Sequence, residues 1–268
     1  MTNSQIVGTA LVTGASSGIG RSFAEILANG SSPLGKYNLV IVARDKKRLA
    51  DVKKTLESTY DISCEVMSKD LETDDGINDT IERLRSKDSR IDVVINNAGY
   101  GVQGNFATLP IESSMGQIEL NVKALVRITH AAVQDMSNRG GGKILNVSSI
   151  AGFLPAPSSN VYAATKAFVT RFSEGLKVEL KGTNISLTCL CPGFTKTEFQ
   201  ERADVNSDAI PPFMWQSPDV VAMEGLIGLS KNQSLVIPGI HNKAVVAVSQ
   251  VLPSSVLRAI AGVVSKRI

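Results

Sequence analysis

The sequence predicts an α/β fold in which one doubly wound parallel sheet of about seven strands carries helices on both faces. Two observations predict it. Short apolar runs rich in β-branched residues alternate with longer stretches of helical period, the pattern of repeated βαβ units. Most of those runs are too uniformly apolar to leave one face wet, so they belong to strands covered from both sides.

In chain order the strands are expected at Thr9–Thr13, Asn38–Ala43, Ser63–Ser68, Asp92–Asn96, Lys143–Val147, Ser186–Leu190 and Ser234–Ile237. Helices are expected at Ile19–Ala28, Lys46–Tyr60, Thr73–Ser86, Ser114–Met136, Val161–Lys181 and Pro218–Leu229, each opening near a residue that can cap or start a helix. Two segments break the compact spacing. Asn29–Lys36, with its Gly, Ser and Pro residues, reads as a surface loop, and a long irregular connection, residues 193–218, follows the sixth strand. Such a connection past a strand's C-terminal end is more often functional than idle. There is no internal repeat or low-complexity tract, and one α/β domain of ordinary size uses all of residues 1–268.

Composition narrows the function. The 28 basic and 25 acidic residues are scattered rather than run together, so no nucleic-acid partner is indicated. Cys64, Cys189 and Cys191 form an odd set without a C-x-x-C pair, which predicts reduced thiols rather than a disulfide framework. The only histidines are His130 and His241, and no metal site is expected. Met1 to Val7 lacks the basic start and apolar stretch of a secretory signal, so a cytoplasmic protein is expected.

Two groups of residues carry chemistry. The first strand runs straight into Thr13-Gly14-Ala15-Ser16-Ser17-Gly18-Ile19-Gly20, and a helical pattern begins near Ile19. Glycines at such a junction let the backbone turn sharply and approach a pyrophosphate, whose charge then meets free N–H groups at the helix start. The second strand ends Val42-Ala43-Arg44-Asp45. An acidic side chain there suits the ribose 2′-hydroxyl of NAD, and an arginine the 2′-phosphate of NADP. Arg44 therefore predicts NADP(H) over NAD(H), with Asp45 arguing the other way. Further on, Ser149 lies just beyond the fifth strand, and Tyr162 and Lys166 stand four residues apart at the start of a helix. That spacing shares one helix face, where a nearby ammonium favours the phenolate. Alone, Tyr-x-x-x-Lys occurs by chance in many helices.

Together these motifs resemble one family, the classical short-chain dehydrogenases/reductases, from about Thr9 to Gly193 and more loosely to the end. The family's Thr-Gly-x-x-x-Gly-x-Gly stands at Thr13 to Gly20, its Asn-Asn-Ala-Gly at Asn96-Asn97-Ala98-Gly99 and its Tyr-x-x-x-Lys at Tyr162 to Lys166. Asp70-Leu71, Asn121, Ser148-Ser149 and Pro192-Gly193 also fall in family order. The resemblance implies a Rossmann-type oxidoreductase that interconverts a carbonyl and an alcohol by hydride transfer with NADP(H). It implies a cofactor surrounded by Gly14, Ser16, Ser17, Gly18, Ile19, Gly20, Arg44, Asp70, Leu71, Asn97, Ala98, Gly99, Tyr162, Lys166, Pro192, Gly193 and Thr195, with Asp70 meeting the adenine. Tyr162 would be the general acid and base, and Ser149 would hydrogen-bond the substrate oxygen. Lys166 would hold the nicotinamide ribose, and Asn121 a water in the proton relay behind it. Two other readings use the same fold: a lyase or epimerase acting on a sugar nucleotide, and a cofactor-binding regulatory protein with a dead site. The compact chain argues against the first and the intact Ser-Tyr-Lys set against the second.

The substrate pocket is expected between Tyr100, Gly101 and Val102, Phe153 and Leu154, and the 193–218 connection. Its Phe194, Phe199, Phe213, Met214 and Trp215 favour an apolar or amphiphilic small molecule. The apolar tail, residues 244–268, divides at Pro253 into Ala244–Leu252 and Ser254–Val264, each well short of the roughly 20 residues that span a bilayer. It is expected to pack at the subunit interface of a homodimer or homotetramer, or over the active-site mouth, in preference to a membrane surface.

Overall fold

The structure, a computed structural model, describes residues 5–87, 89–199 and 210–264. Its sheet is built from β1 (Ile6–Thr13), β2 (Lys36–Ala43), β3 (Cys64–Ser68), β4 (Val93–Asn96), β5 (Gly142–Val147), β6 (Ile185–Leu190) and β7 (Leu235–Val236). All pairings are parallel and the spatial order is β3-β2-β1-β4-β5-β6-β7. The strands fall within a few residues of their expected positions. The helices are α1 (Gly18–Asn29), α2 (Lys46–Thr59), α3 (Asp74–Arg85), α4 (Ile111–Ile118), α5 (Leu125–Asn138), α6 (Asn160–Glu179), α7 (Pro218–Ser230), α8 (Ile240–Val251) and α9 (Ser254–Val264).

Successive strand residues feed opposite cores, because side chains alternate across a pleated strand. Ala10, Val12, Leu39, Ile41, Val93 and Ile95 pack with Phe23 and Leu27 of α1, Leu49 of α2 and Leu226 of α7. Leu11, Val40, Val42, Val94 and Ile144 pack on the other side with Ile77 of α3 and Ile128 and Met136 of α5. Burying each such side chain stabilises the fold by roughly 1.5–3 kcal/mol, so two filled layers specify the strand register. Local chemistry sets the helix starts: Asp45 accepts from Arg48 N at 2.9 Å, Thr73 from Gly76 N at 3.1 Å and Ser217 from Val220 N at 3.3 Å.

One expected element differs. The helix foreseen at Ser114–Met136 begins earlier, at Ile111, and is broken by a π turn over Glu119–Ala124 between α4 and α5. Periodicity cannot reveal it, because apolar residues on either side keep helical spacing. Both tail pieces are helical, and α8 starts at Ile240, ahead of the expected boundary, after Gly239 with φ +82°. Among the described residues no helix is long and apolar enough to cross a membrane. Residues 200–209 of the long connection, and Lys266 and Arg267 of the tail, lie outside the described residues.

Candidate active site

The order of strands reverses at β1, which pairs with β2 on one side and β4 on the other, and this opens a crevice at the C-terminal ends of the strands. Gly14 and Gly18 take φ of +68° and +54°, the left-handed region where a side chain is strained. A Cβ on Gly20 would lie 2.2 Å from the Gly14 carbonyl oxygen and 2.4 Å from Asn97 Nδ2. The turn therefore holds only with glycine at that position. Ser17 precedes α1 in extended conformation without a side-chain cap, and the first turn has no acidic residue. The first N–H groups of α1 are thus uncapped by side chains and electropositive, a cradle that fits a pyrophosphate.

Thr13 fastens the next strand to this turn. Its Oγ1 accepts from Asn97 N at 3.0 Å and Ala98 N at 2.9 Å and donates to the Ile95 carbonyl at 3.3 Å. The Asn97 amide donates to the Thr13 carbonyl at 2.9 Å and the Gly14 carbonyl at 3.4 Å. Asn97 shapes the floor of the crevice from below, while Ala98 and Gly99 continue along its edge. The Leu71 side chain is buried in the core. Asp70 Oδ1 is held by Glu72 N at 3.0 Å.

At the end of β2, Arg44 is exposed and its Nη1 reaches Glu72 Oε1 at 2.9 Å and Asp70 Oδ2 at 4.0 Å. Asp45 is engaged as the α2 cap and pairs with Arg48 Nε at 3.4 Å. Burial pushes the Glu72 carboxyl up, against the pull of Arg44, and the carboxyl lies beside the Tyr100 hydroxyl over Gly116.

The Ser149, Tyr162 and Lys166 set assembles where β5 ends and α6 begins. Ser149 caps a short 3-10 turn, Ile150–Phe153, by accepting from Ala151 N at 3.1 Å, and its hydroxyl lies on the side of the Tyr162 phenol, whose pKa it lowers. Lys166 is buried; its Nζ donates to the Val147 carbonyl at 3.0 Å and lies 5.7 Å from the Tyr162 ring centroid. Burial pushes the phenol up to about 12, opposed by the nearby Ser149 hydroxyl, and pushes the ammonium down to about 8. Desolvation dominates both groups in this protein.

Asn121 sits in the π turn. Its Oδ1 accepts from Tyr100 N at 3.1 Å, and its Nδ2 donates to the Tyr100 carbonyl at 2.9 Å and to Thr165 Oγ1 at 3.0 Å. A side-chain carbon on Gly99 would stand 2.8 Å from Asn121 Oδ1 and 3.3 Å from Lys166 Nζ, so both polar groups border the space beside that glycine. The widened turn thus delivers Asn121 behind Lys166.

The connection after β6 closes the other side. The Pro192 carbonyl accepts from Ile150 N at 2.9 Å, and buried Thr195 donates to the Gly193 carbonyl at 3.1 Å. Phe199 rests on Tyr162 with ring centroids 5.4 Å apart, and Phe194 on Trp215 at 5.8 Å. Thr197 reaches the glycine turn itself: a carbon added at Gly18 would meet its Cγ2 at 3.0 Å.

A sequence model of the short chain dehydrogenase family matches residues 8–208. The chain belongs to the short-chain dehydrogenases/reductases. The NADP-dependent 3-hydroxy acid dehydrogenase of Schizosaccharomyces pombe is 32% identical over 85% of this chain and 89% of its own. A short-chain dehydrogenase from Sphingobium yanoikuyae, solved in complex with NADPH, is 32% identical, with a TM-score of 0.81 over 93% of this chain and 98% of that one. The bulky-bulky ketone specific alcohol dehydrogenase from Comamonas testosteroni is 30% identical, with a TM-score of 0.77 over 94% and 97%. This short-chain dehydrogenase also uses residues that its motifs do not announce. Glu72 pairs with Arg44, Thr165 bonds Asn121, and buried Asn242 of α8 donates to the Pro238 carbonyl at 2.7 Å and Gln216 Oε1 at 3.0 Å, bracing the connection beside Gly193. Only Thr13, the first residue of the glycine motif, carried a signal.

Proposed function

We propose that this chain interconverts a carbonyl and an alcohol with NADP(H), Tyr162 being the general acid and base. Bound NADP(H) supplies or takes the hydride. The observation that carries the reading is the joint placement of Ser149, Tyr162 and Lys166 where β5 ends and α6 begins, with the Lys166 ammonium 5.7 Å from the Tyr162 ring and the Ser149 hydroxyl acting on its phenol. In the reducing direction Tyr162 gives its proton to the substrate oxygen as charge develops there, and Ser149 donates a second hydrogen bond to the same oxygen. The phenol keeps its proton at neutral pH and so has one to give, and the Lys166 ammonium, 5.7 Å from the ring, supports the phenolate left behind.

Arg44 supports NADP(H) over NAD(H), because it stands exposed at the end of β2 while Asp45 turns to the α2 cap and to Arg48. The relatives' use of NADP and NADPH points the same way. Phe199 packed on Tyr162, and the Phe194–Trp215 pair in the same connection, support an apolar or amphiphilic substrate, as the relative acting on bulky ketones does. Exposed Ile111, Met115 and Phe168 on α4 and α6 support self-assembly into a homodimer or homotetramer through those helices. The test is NADPH and NADH consumption by purified protein with aldehydes, bulky ketones and keto-esters. Turnover of bulky ketones with NADPH is expected; no turnover with any carbonyl, or a preference for NADH, overturns the reading.

A further inference from the structure

α8 turns its faces the wrong way for a globular surface. Asn242, Val246 and Ser249 are buried, whereas Ile240, Ala244, Val248 and Val251 line the opposite side, Ile240 being 82% and Val251 84% exposed. α9 repeats the pattern: Val256, Ile260 and Val263 share one exposed face, and no described side chain of α9 is buried. It has 11 residues, with β-branched side chains and Gly262. Helices shorter than about 12–15 residues are marginal in water even with good formers, so this helix depends on something that covers its apolar face.

Charge indicates what that is. Residues 225–268 contain Lys231, Lys243, Arg258, Lys266 and Arg267 and not one Asp or Glu. A second copy seated symmetrically on the face would bring the two Lys243 side chains near each other with no Asp or Glu on α8 or α9 to pair them. An anionic bilayer answers both needs, taking the aliphatic stripe into its interface and the basic residues against its headgroups. We propose that α8 and α9 form a docking surface for an anionic lipid membrane. The surface adjoins the connection around the crevice: Phe213, 72% exposed, stands edge-on to His241 of α8 at 6.4 Å, and Asn242 bonds Gln216. Docking therefore sets residues 210–216 beside the lipid. This inference does not rest on the catalytic reading.

The test is flotation of the full chain with vesicles of phosphatidylglycerol mixed with phosphatidylcholine and with vesicles of phosphatidylcholine alone. The chain is expected to float with the anionic vesicles, to release as salt is raised, and to stay behind with phosphatidylcholine. Arg258→Glu is expected to weaken partitioning by about tenfold and Ile260→Glu to abolish it, both keeping wild-type melting and NADPH consumption. Absence of wild-type flotation overturns the proposal, as does equal flotation on both vesicle types. A fall in oligomer mass for Ile260→Glu in light scattering also overturns it and assigns the face to a second copy. The salt dependence of the wild type decides the matter even if a variant misfolds.

Discussion

Replacing Lys166 with Met is expected to make the protein more stable and less active. Lys166 is 5% exposed, and burial lowers its ammonium from 10.5 to about 8. The folded chain thus binds this proton more weakly than the unfolded chain does. Stability is reduced everywhere below about pH 8, and it recovers as pH rises toward 10.5. At about 1.4 kcal/mol per unit the penalty near neutral pH is about 3 kcal/mol. Met removes the charge while keeping much of the length, and loss of the bond to the Val147 carbonyl takes back about 1 kcal/mol. The variant should therefore gain about 2 kcal/mol near neutral pH, or roughly 4–8 °C in Tm for a chain of this size. The gain should vanish and reverse as pH is raised past 10, while turnover falls by about a hundredfold or more. Thermal melting of both proteins from about pH 6 to 11, with NADPH consumption at neutral pH, measures all of this. A variant that melts lower at neutral pH, or a difference that ignores pH, would refute the argument.

Tyr162→Phe should cut kcat by about a hundredfold or more with NADPH affinity within about twofold; activity within tenfold of wild type would sink the proton-transfer role. Arg44→Asp should weaken NADPH binding and spare NADH, measured as kcat/KM with each cofactor, and an unchanged ratio excludes Arg44 as the phosphate ligand. Glu72→Gln frees Arg44 from its 2.9 Å partner. Since a partly exposed pair is worth up to ~1 kcal/mol, NADPH should bind up to about fivefold tighter in titration calorimetry while NADH stays unchanged. Gly20→Ala should abolish binding of either cofactor, because the new carbon meets backbone 2.2 Å away; retained binding would show that the turn can yield.

The sequence disclosed what depends on pattern. Seven apolar runs became seven strands because covered parallel strands need no polar alternation, and Tyr162 and Lys166 met because four residues make one helical turn. It was silent wherever a contact joins residues far apart in the chain. Glu72 reaches Arg44 across the ends of β2 and β3, Thr197 touches Gly18, and Asn242 arrives beside Gly193 from α8. Each needs a three-dimensional path that no local spacing encodes. The balance of forces on Tyr162 was hidden for the same reason, since desolvation depends on everything packed around the ring.

The π turn at Glu119–Ala124 holds one residue more than an α-helical turn would. Deleting one residue there would let α4 and α5 run together as an ordinary helix, with Ile128 and Met136 still facing the core. Only the placement of Asn121 would change, along with its bonds to Tyr100 and Thr165. A change of one residue at this point therefore moves Asn121, while the strands and the helical stretches on either side keep their own spacing.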